Sequence, residues 1–115
     1  MPFVRTAEIE TYYELAGAGD PLVLLHGAWV DSRLWKEQVA HFAGRHRVLT
    51  YDLRGHGRTG ASAAKRYSCE LWADDLRALL DVLGIERPHL CGLSLGGMIA
   101  QTYAAKHSNS LRSLI

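Results

Sequence analysis

The chain has 115 residues, of which 48% are hydrophobic, and its 13 lysines and arginines against 12 aspartates and glutamates leave a formal net charge of +1. This composition argues against a disordered chain, and the near-neutral charge argues against binding to nucleic acid or to an anionic membrane. No apolar run approaches the roughly 18 residues of a membrane helix. Residues 1–5 lack the pattern of a signal peptide, so we expect a cytoplasmic protein with no membrane partner.

Two strands are predicted before His26. Over residues 8–15, every second position is apolar or uncharged and its neighbours are mostly acidic, which is the period of a strand with one exposed face. A turn at 17–21 separates this strand from 22–25, an apolar run without alternation that stops at His26 and Gly27. Such a run predicts a parallel strand that is covered on both faces.

Helices and strands alternate over the rest of the chain. In order, the predicted elements are a helix capped by Asp31 or Ser32 and ending at Gly44, a strand over 47–51, a helix capped by Ser68 and ending at Gly84, a strand over 88–91, a helix over 98–106 and a strand over 111–115. The second helix carries an apolar stripe that we expect in the core, formed by Trp72, Leu76, Leu79, Leu80 and Leu83. The alternation predicts βαβ units, and therefore an α/β fold with a mostly parallel sheet and flanking helices.

The pentapeptide 92–96 reads G-x-S-x-G, with Ser94 at its centre, and it lies between a predicted strand and a predicted helix. A nucleophile on a sharp strand-to-helix turn needs neighbours without side chains two residues away, and Gly92 and Gly96 provide them. The helix amino terminus presents unpaired N–H groups and a partial positive charge to a developing oxyanion. A packing turn with a capping serine is the alternative, but the flanking strand and helix favour Ser94 as a nucleophile.

His26 and Gly27 end the buried strand at a place suited to a second oxyanion donor. The backbone N–H groups of Ala28 and Leu95 would then form the oxyanion hole, since such a hole depends on backbone position rather than on side chains. A plain turn is the alternative, and for the His26 imidazole we favour a local hydrogen bond over a role as general base. Trp29 is predicted either to line a substrate pocket or to lie in the core.

The segment 55–60 matches G-x-G-x-x-G, the dinucleotide-binding fingerprint, and follows a predicted strand. The fingerprint should open a helix at once, whereas here 61–67 intervene before the next helix cap, so nucleotide binding is kept as a minor alternative. In the same loop we expect Asp52 and Arg54 to form a local ion pair that holds the glycine-rich turn.

Three of these motifs together resemble the α/β-hydrolase fold family, in its esterase, lactonase and haloperoxidase-like branch. They are LLHG at 24–27, YDLRGHG at 51–57 and GLSLGGM at 92–98, and they follow one another in the order expected for that family. The amino-acid sequence of 91–101 is most similar to that of 3-oxoadipate enol-lactonases and related ester hydrolases.

The resemblance implies that Ser94 is the nucleophile, that Ala28 and Leu95 donate to the oxyanion, and that no cofactor or metal takes part. It implies a small-molecule substrate, a carboxylic ester or a lactone. It also implies that the first strands run antiparallel to their neighbours before the parallel sheet begins.

The other two members of a catalytic triad depart from the family pattern, in which an acid and then a histidine follow the serine along the chain. The last acidic residue here is Glu86, which precedes Ser94, and the only later histidine is His107. His107 lies at the far end of the same predicted helix, about 20 Å from Ser94 at the helical rise per residue, so it is not the base. Without a base the serine hydroxyl stays protonated and is a poor nucleophile.

We therefore expect residues 1–115 to be the amino-terminal part of an α/β-hydrolase domain, without a lid or the later strands, and inactive alone. The strand 111–115 would be an exposed apolar edge of the sheet, open to self-association. The alternative is a subunit or binding module whose edge pairs with a second chain that supplies the acid and the histidine.

Overall fold

The computed structural model describes residues 2–6, 9–60 and 67–115, and the predicted strands and helices are present in it. The strands are β1 (Phe3–Thr6), β2 (Ile9–Ala16), β3 (Asp20–Leu25), β4 (His46–Tyr51), β5 (His89–Gly92) and β6 (Ser113–Leu114). The helices are α1 (Lys36–Phe42), α2 (Cys69–Leu83) and α3 (Leu95–Lys106), with short 3₁₀ turns at Ser32–Trp35 and Ser108–Ser110. β1 is a strand that the sequence pattern does not predict, and Glu8 of the predicted alternation lies outside the described residues.

The described strands form one mixed sheet in the order β1-β2-β4-β3-β5-β6. β2 pairs antiparallel with both β1 and β4, whereas the β4–β3, β3–β5 and β5–β6 pairs are parallel. The predicted α/β fold with a mostly parallel sheet is therefore confirmed, together with its antiparallel start. Within the described ranges β6 is an edge strand, and it is shorter than the predicted strand over 111–115.

Alternate residues of the central strands pack against helices on opposite faces of the sheet. On one face a large apolar cluster joins the strands to α2 and α3, and on the other a smaller cluster joins them to Trp35 and α1. The predicted stripe of α2 lies in the larger cluster, where Trp72, Leu76, Leu79 and Leu80 are buried and Leu83 is partly buried. None of the helices in the described part of the chain has both the length and the apolar character needed to span a bilayer.

Three of the predicted helix-end signals are found in the structure, whereas α1 ends at Phe42, with Ala43 as its cap, before the predicted stop at Gly44. The Asp31 side chain accepts a hydrogen bond from the Arg33 N–H at the start of the first 3₁₀ turn, and the Ser68 hydroxyl accepts one from the Leu71 N–H at the start of α2. Gly84, with φ at 68°, ends α2 in a left-handed conformation. Local capping chemistry thus sets where these helices begin and end.

The parallel strands β3, β4 and β5 place their carboxyl ends at one edge of the sheet, where open α/β sheets bind ligands. The segments that leave this edge begin at His26, Asp52 and Leu93. All the predicted site residues lie on the first and third of these segments or next to them, so the topology brings them together.

Candidate active site

Ser94 occupies a strained turn between β5 and α3. Its backbone has φ 56° and ψ −117°, a conformation that residues with a side chain rarely adopt. The turn is held on both sides, because the Leu93 N–H donates to the Leu25 carbonyl and the Met98 N–H donates to the Ser94 carbonyl, each at 3.1 Å. The side chain of Ser94 is exposed, so the turn presents its hydroxyl to solvent.

Gly92 and Gly96 allow the strand and the helix to approach one another around this turn. A methyl group on Gly92 would collide with the backbone carbonyl of Gly96 and lie 2.6 Å from the Gly97 nitrogen. A methyl group on Gly96 would collide with the carbonyl of Leu25 and lie 2.6 Å from that of His26. Both positions therefore exclude any larger residue for a packing reason.

The segment after β3 lies directly against the Ser94 side chain. A methyl group on Gly27 would be 3.4 Å from Ser94 Cβ and 4.0 Å from Ser94 Oγ. The residues that follow Gly27 and Ser94 are Ala28 and Leu95, and in the described part of the chain the N–H of neither one donates a hydrogen bond. The structure thus places two unpaired backbone donors on the two segments that meet at Ser94.

His26 is fully buried and uses both ring nitrogens. Nδ1 lies 2.7 Å from the Gly27 carbonyl and Nε2 accepts the Leu53 N–H at 3.0 Å, so Nδ1 carries the hydrogen. Burial lowers the pKa of His26 below its ordinary value, which favours the neutral ring. The predicted structural role of His26 is confirmed, since neither nitrogen is available to take a proton from Ser94.

The expected ion pair between Asp52 and Arg54 is wrong. The Arg54 guanidinium instead pairs with Asp75 of α2 at 2.6 Å, and both side chains are largely buried. The Asp52 carboxylate accepts the backbone N–H groups of Ser32 and Arg58, each at 2.8 Å. Both side chains hold the glycine-rich loop as expected, but not by pairing with each other. Arg54 pairs with a side chain distant in the sequence, and Asp52 accepts hydrogen bonds from backbone N–H groups.

The segment 55–60 closes on itself rather than opening a helix. The Gly55 N–H donates to the Gly60 carbonyl at 3.1 Å, and the Thr59 N–H donates to the His56 carbonyl at 3.0 Å. Two of the loop amides are therefore used within the loop, unlike those of a dinucleotide-binding turn, which bind phosphate. The predicted absence of a helix directly after Gly60 concerns 61–66, which lie outside the described residues.

A cleft of about 860 Å³ opens beside the strand-to-helix turn 92–96, the elbow that carries Ser94, and both Ala28 and Leu95 line it. Trp29 lines it as well and is 95% exposed, with φ at 66°, so the alternative of a core tryptophan is wrong. Asp31 lies at the same cleft, where the hydrogen-bonded guanidinium of Arg33 lowers the pKa of its carboxyl to about 2.

Aromatic residues that sequence reasoning does not assign to the site form another wall of the cleft. They are His56, Tyr67 and Trp72, and the Trp72 ring lies 5.4 Å from that of Tyr67 and 6.2 Å from that of His56, centroid to centroid. The Trp72 Nε1 donates to the Arg54 carbonyl at 3.1 Å, which fixes the ring between core and cleft. The sequence signal they share is their position, since all three lie in the loop after β4 or at the start of α2, next to the carboxyl end of a parallel strand.

His107 lies beyond the carboxyl end of α3, whereas Ser94 precedes its amino end. The His107 ring packs 4.9 Å from the ring of Tyr103, centroid to centroid. In the described residues the Ser94 hydroxyl makes no hydrogen bond to a histidine. The site therefore combines an exposed serine, two unpaired amides and an apolar cleft.

Residues 20–115 of the chain match the family described as the alpha/beta hydrolase fold. A protein of Azorhizobium caulinodans provisionally named carbamate hydrolase RutD is 35% identical over 114 residues, which are 99% of this chain and 43% of that protein.

Two solved structures superpose closely on the chain. A thermophilic esterase from Thermogutta terrifontis gives a TM-score of 0.93 at 33% identity, and the match covers 99% of this chain and 44% of the esterase. An enol-lactonase from Burkholderia xenovorans LB400 gives 0.91 at 33% identity, covering 98% of this chain and 45% of the lactonase. The chain thus spans less than half the length of each of these proteins.

Proposed function

This chain belongs to the α/β-hydrolase fold family, and from that premise we propose that it carries the nucleophile of a hydrolase that acts on small-molecule carboxylic esters or lactones. The observation that supports this most is the position of Ser94, exposed on a strained turn between two backbone segments whose next N–H groups, those of Ala28 and Leu95, have no acceptor in the described residues. The backbone strain at Ser94 costs stability, which is typical of sites retained for chemistry.

In the proposed reaction the Ser94 oxygen attacks the carbonyl carbon of the substrate. The carbonyl oxygen becomes an oxyanion, which accepts hydrogen bonds from Ala28 and Leu95, and its charge is further stabilised by the amino end of α3. Collapse of the tetrahedral intermediate breaks the bond to the alkoxy oxygen, which takes up the proton that Ser94 gave up and becomes an alcohol. The acyl group stays on Ser94, and water then releases it as the carboxylic acid. Trp29 would contact the substrate from the wall of the cleft. No cofactor or metal is needed for these steps.

The serine proton has no acceptor of the expected kind in residues 1–115, because no acidic residue follows Ser94 and the one later histidine lies at the opposite end of α3. We propose that this chain supplies the nucleophile and oxyanion part of the domain, and that the acid and the histidine come from elsewhere. Alone, the chain would retain at most the residual rate of about 10³–10⁴ over water that oxyanion binding leaves when triad members are removed.

A second candidate is a subunit that pairs with another polypeptide through β6. Leu93, Met98, Leu114 and Ile115 are all exposed large apolar residues, with exposed fractions of 48%, 59%, 44% and 68%. Leu114 and Ile115 lie on or next to β6, and an open strand edge with such apolar residues favours addition of a further strand, from a second polypeptide or from another copy of the chain. In this case the partner would supply the acid and the histidine.

We further propose a cytoplasmic location.

The experiment joins residues 1–115 to the carboxyl-terminal remainder of the Thermogutta terrifontis esterase and measures hydrolysis of p-nitrophenyl butyrate. We expect the chimera to turn over and the chain alone to be inactive. The Ser94→Ala chimera should fold and lose activity. Turnover that survives this substitution would overturn the assignment of Ser94, and turnover by the chain alone that Ser94→Ala abolishes would overturn its inactivity.

A further inference from the structure

Among the described residues, the segment that carries the Ala28 amide is hydrogen-bonded to the rest of the molecule near its two ends. At the first end, the buried ring of His26 bonds the Gly27 carbonyl and the Leu53 N–H. At the other end, the Ser32 N–H donates to Asp52 at 2.8 Å. Between these attachments, in the described residues, the N–H groups of 28–30 donate no hydrogen bond and their side chains are exposed. The position of this segment therefore depends on the two attachments.

Both attachments end on neighbouring residues, Asp52 and Leu53, at the carboxyl end of β4. Asp52 is itself held there, because its N–H donates to the Tyr12 carbonyl of β2 at 3.0 Å. Its side chain is 2% exposed. The far end of the segment is thus tied, through one buried carboxylate, to the edge of the central sheet.

The Asp52 carboxylate bonds two loops at once. Oδ1 accepts the N–H of Ser32, and Oδ2 accepts the N–H of Arg58 in the glycine-rich loop. The second loop fits around the carboxylate because residue 57 is glycine, with φ at +51°; a methyl group there would collide with Oδ2 and lie 2.8 Å from Asp31 Cβ. A carboxylate has two acceptor oxygens on one planar group, whereas an asparagine side chain has one.

We propose that Asp52 is a positioning residue, which holds the segment 27–31, and with it the Ala28 N–H, in place against the elbow of Ser94. Asp52 touches neither substrate nor Ser94 in this role, and it acts through the backbone of Ser32. The proposal rests on the proposed function in one respect, namely that the Ala28 amide serves as an oxyanion donor.

The test uses the 15N-labelled chain and measures backbone order parameters in the unaltered protein, in Asp52→Ala and in Asp52→Asn. We expect the Ala28 amide to be rigid in the unaltered chain, with an order parameter of about 0.85, and to fall below about 0.6 in Asp52→Ala. Asp52→Asn, which keeps one acceptor, should give an intermediate value. The Leu95 amide, which is held by α3, should not change.

The matched control is Leu80→Ala, since Leu80 is a buried residue near the carboxyl end of α2 and belongs to the cluster on the opposite face of the sheet from Trp35. It should lower the Tm without changing the order parameter of Ala28, which separates positioning from a general loss of stability. An Ala28 amide that stays as rigid in Asp52→Ala as in the unaltered chain overturns the proposal. If Asp52→Ala does not fold, the Asp52→Asn chain decides, and an unchanged Ala28 value there overturns it as well. The measurement needs no turnover, so an unreactive Ser94 would contradict the proposed function and leave this result standing.

Discussion

Gly96, in the first turn of α3, packs its α-carbon against the backbone carbonyl of Leu25 at the end of β3, so closely that a β-carbon would collide with it. This contact lets the helix begin immediately after Ser94, because strand and helix have no side chain between them. The contact also explains why the N–H groups of two separate segments, the proposed oxyanion donors, can meet at one serine.

Replacing Gly96 by alanine should destabilise the chain. Within a helix the change would ordinarily stabilise by up to about 1 kcal/mol, but here the new methyl group must displace the Leu25 carbonyl, at a cost of about 1–3 kcal/mol or more. Urea unfolding followed by circular dichroism measures the difference. Gly60→Ala is the control, since none of the described residues lies within 4 Å of a methyl group there. Equal stability of the two variants would contradict the packing argument.

Replacing Ser94 by glycine should stabilise the chain. The backbone strain at φ 56°, ψ −117° is worth about 1–3 kcal/mol and disappears with the side chain. The greater conformational freedom of glycine in the unfolded state reduces this gain in stability by about 0.5–1 kcal/mol. We expect a net gain of about 1 kcal/mol in thermal or urea unfolding. Ser94→Ala retains the strain and should show no such gain, so an alanine variant as stable as the glycine variant would refute this account.

The stability of the chain should fall as the pH drops from 7.5 to 5.5, in part because of His26. Burial lowers the pKa of this ring in the folded state, whereas in the unfolded chain it titrates at about 6.5. Below that pH the unfolded chain binds a proton that the folded chain does not, so the contribution to stability present at higher pH is lost. Asp31, with a folded pKa of about 2 against an ordinary 3.8, acts only at lower pH.

The measurement is the Tm against pH for the unaltered chain and for His26→Gln. The glutamine variant should be less stable at pH 7.5, since it loses a buried hydrogen-bonded ring, but its Tm should fall less steeply between pH 7.5 and 5.5. His41→Gln, at an exposed position of α1, is the control and should keep the original slope. A His26→Gln chain with that same slope would show that His26 does not cause the pH dependence.

The open edge at β6 should make the chain self-associate. Leu114 is 44% exposed on this strand, and a charged side chain at an edge is a common means of preventing pairing. Sedimentation velocity should show association that increases with concentration in the unaltered chain and is reduced in Leu114→Lys. Val82→Lys adds the same charge at a 53% exposed position on α2 and should associate like the unaltered chain. If both lysine variants dissociate equally, net charge and not the edge is responsible.

The sequence alone was sufficient for most of the fold and for the position of the strand-to-helix turn at Ser94. The caps at Asp31 and Ser68, the stop at Gly84 and the stripe of α2 depend on residues within a few positions of one another, and all were confirmed. β1 escaped prediction because its residues, Phe3–Thr6, show neither an alternation of apolar and polar positions nor an unbroken apolar run. The roles of Ser94, Ala28 and Leu95 remain proposals that rest on geometry and on similarity to the family.

What the sequence by itself determined are the features set by short-range physics: the order of strands and helices, and the glycines that a strained serine turn requires. The tertiary structure decided which distant groups meet. In the tertiary structure Arg54 pairs with Asp75, and Asp52 accepts hydrogen bonds from two backbone amides. Trp29 lines the cleft instead of lying in the core. Each of these contacts depends on how the carboxyl ends of the strands bring separate loops together. A pattern of residues that are neighbours in the sequence cannot predict that arrangement.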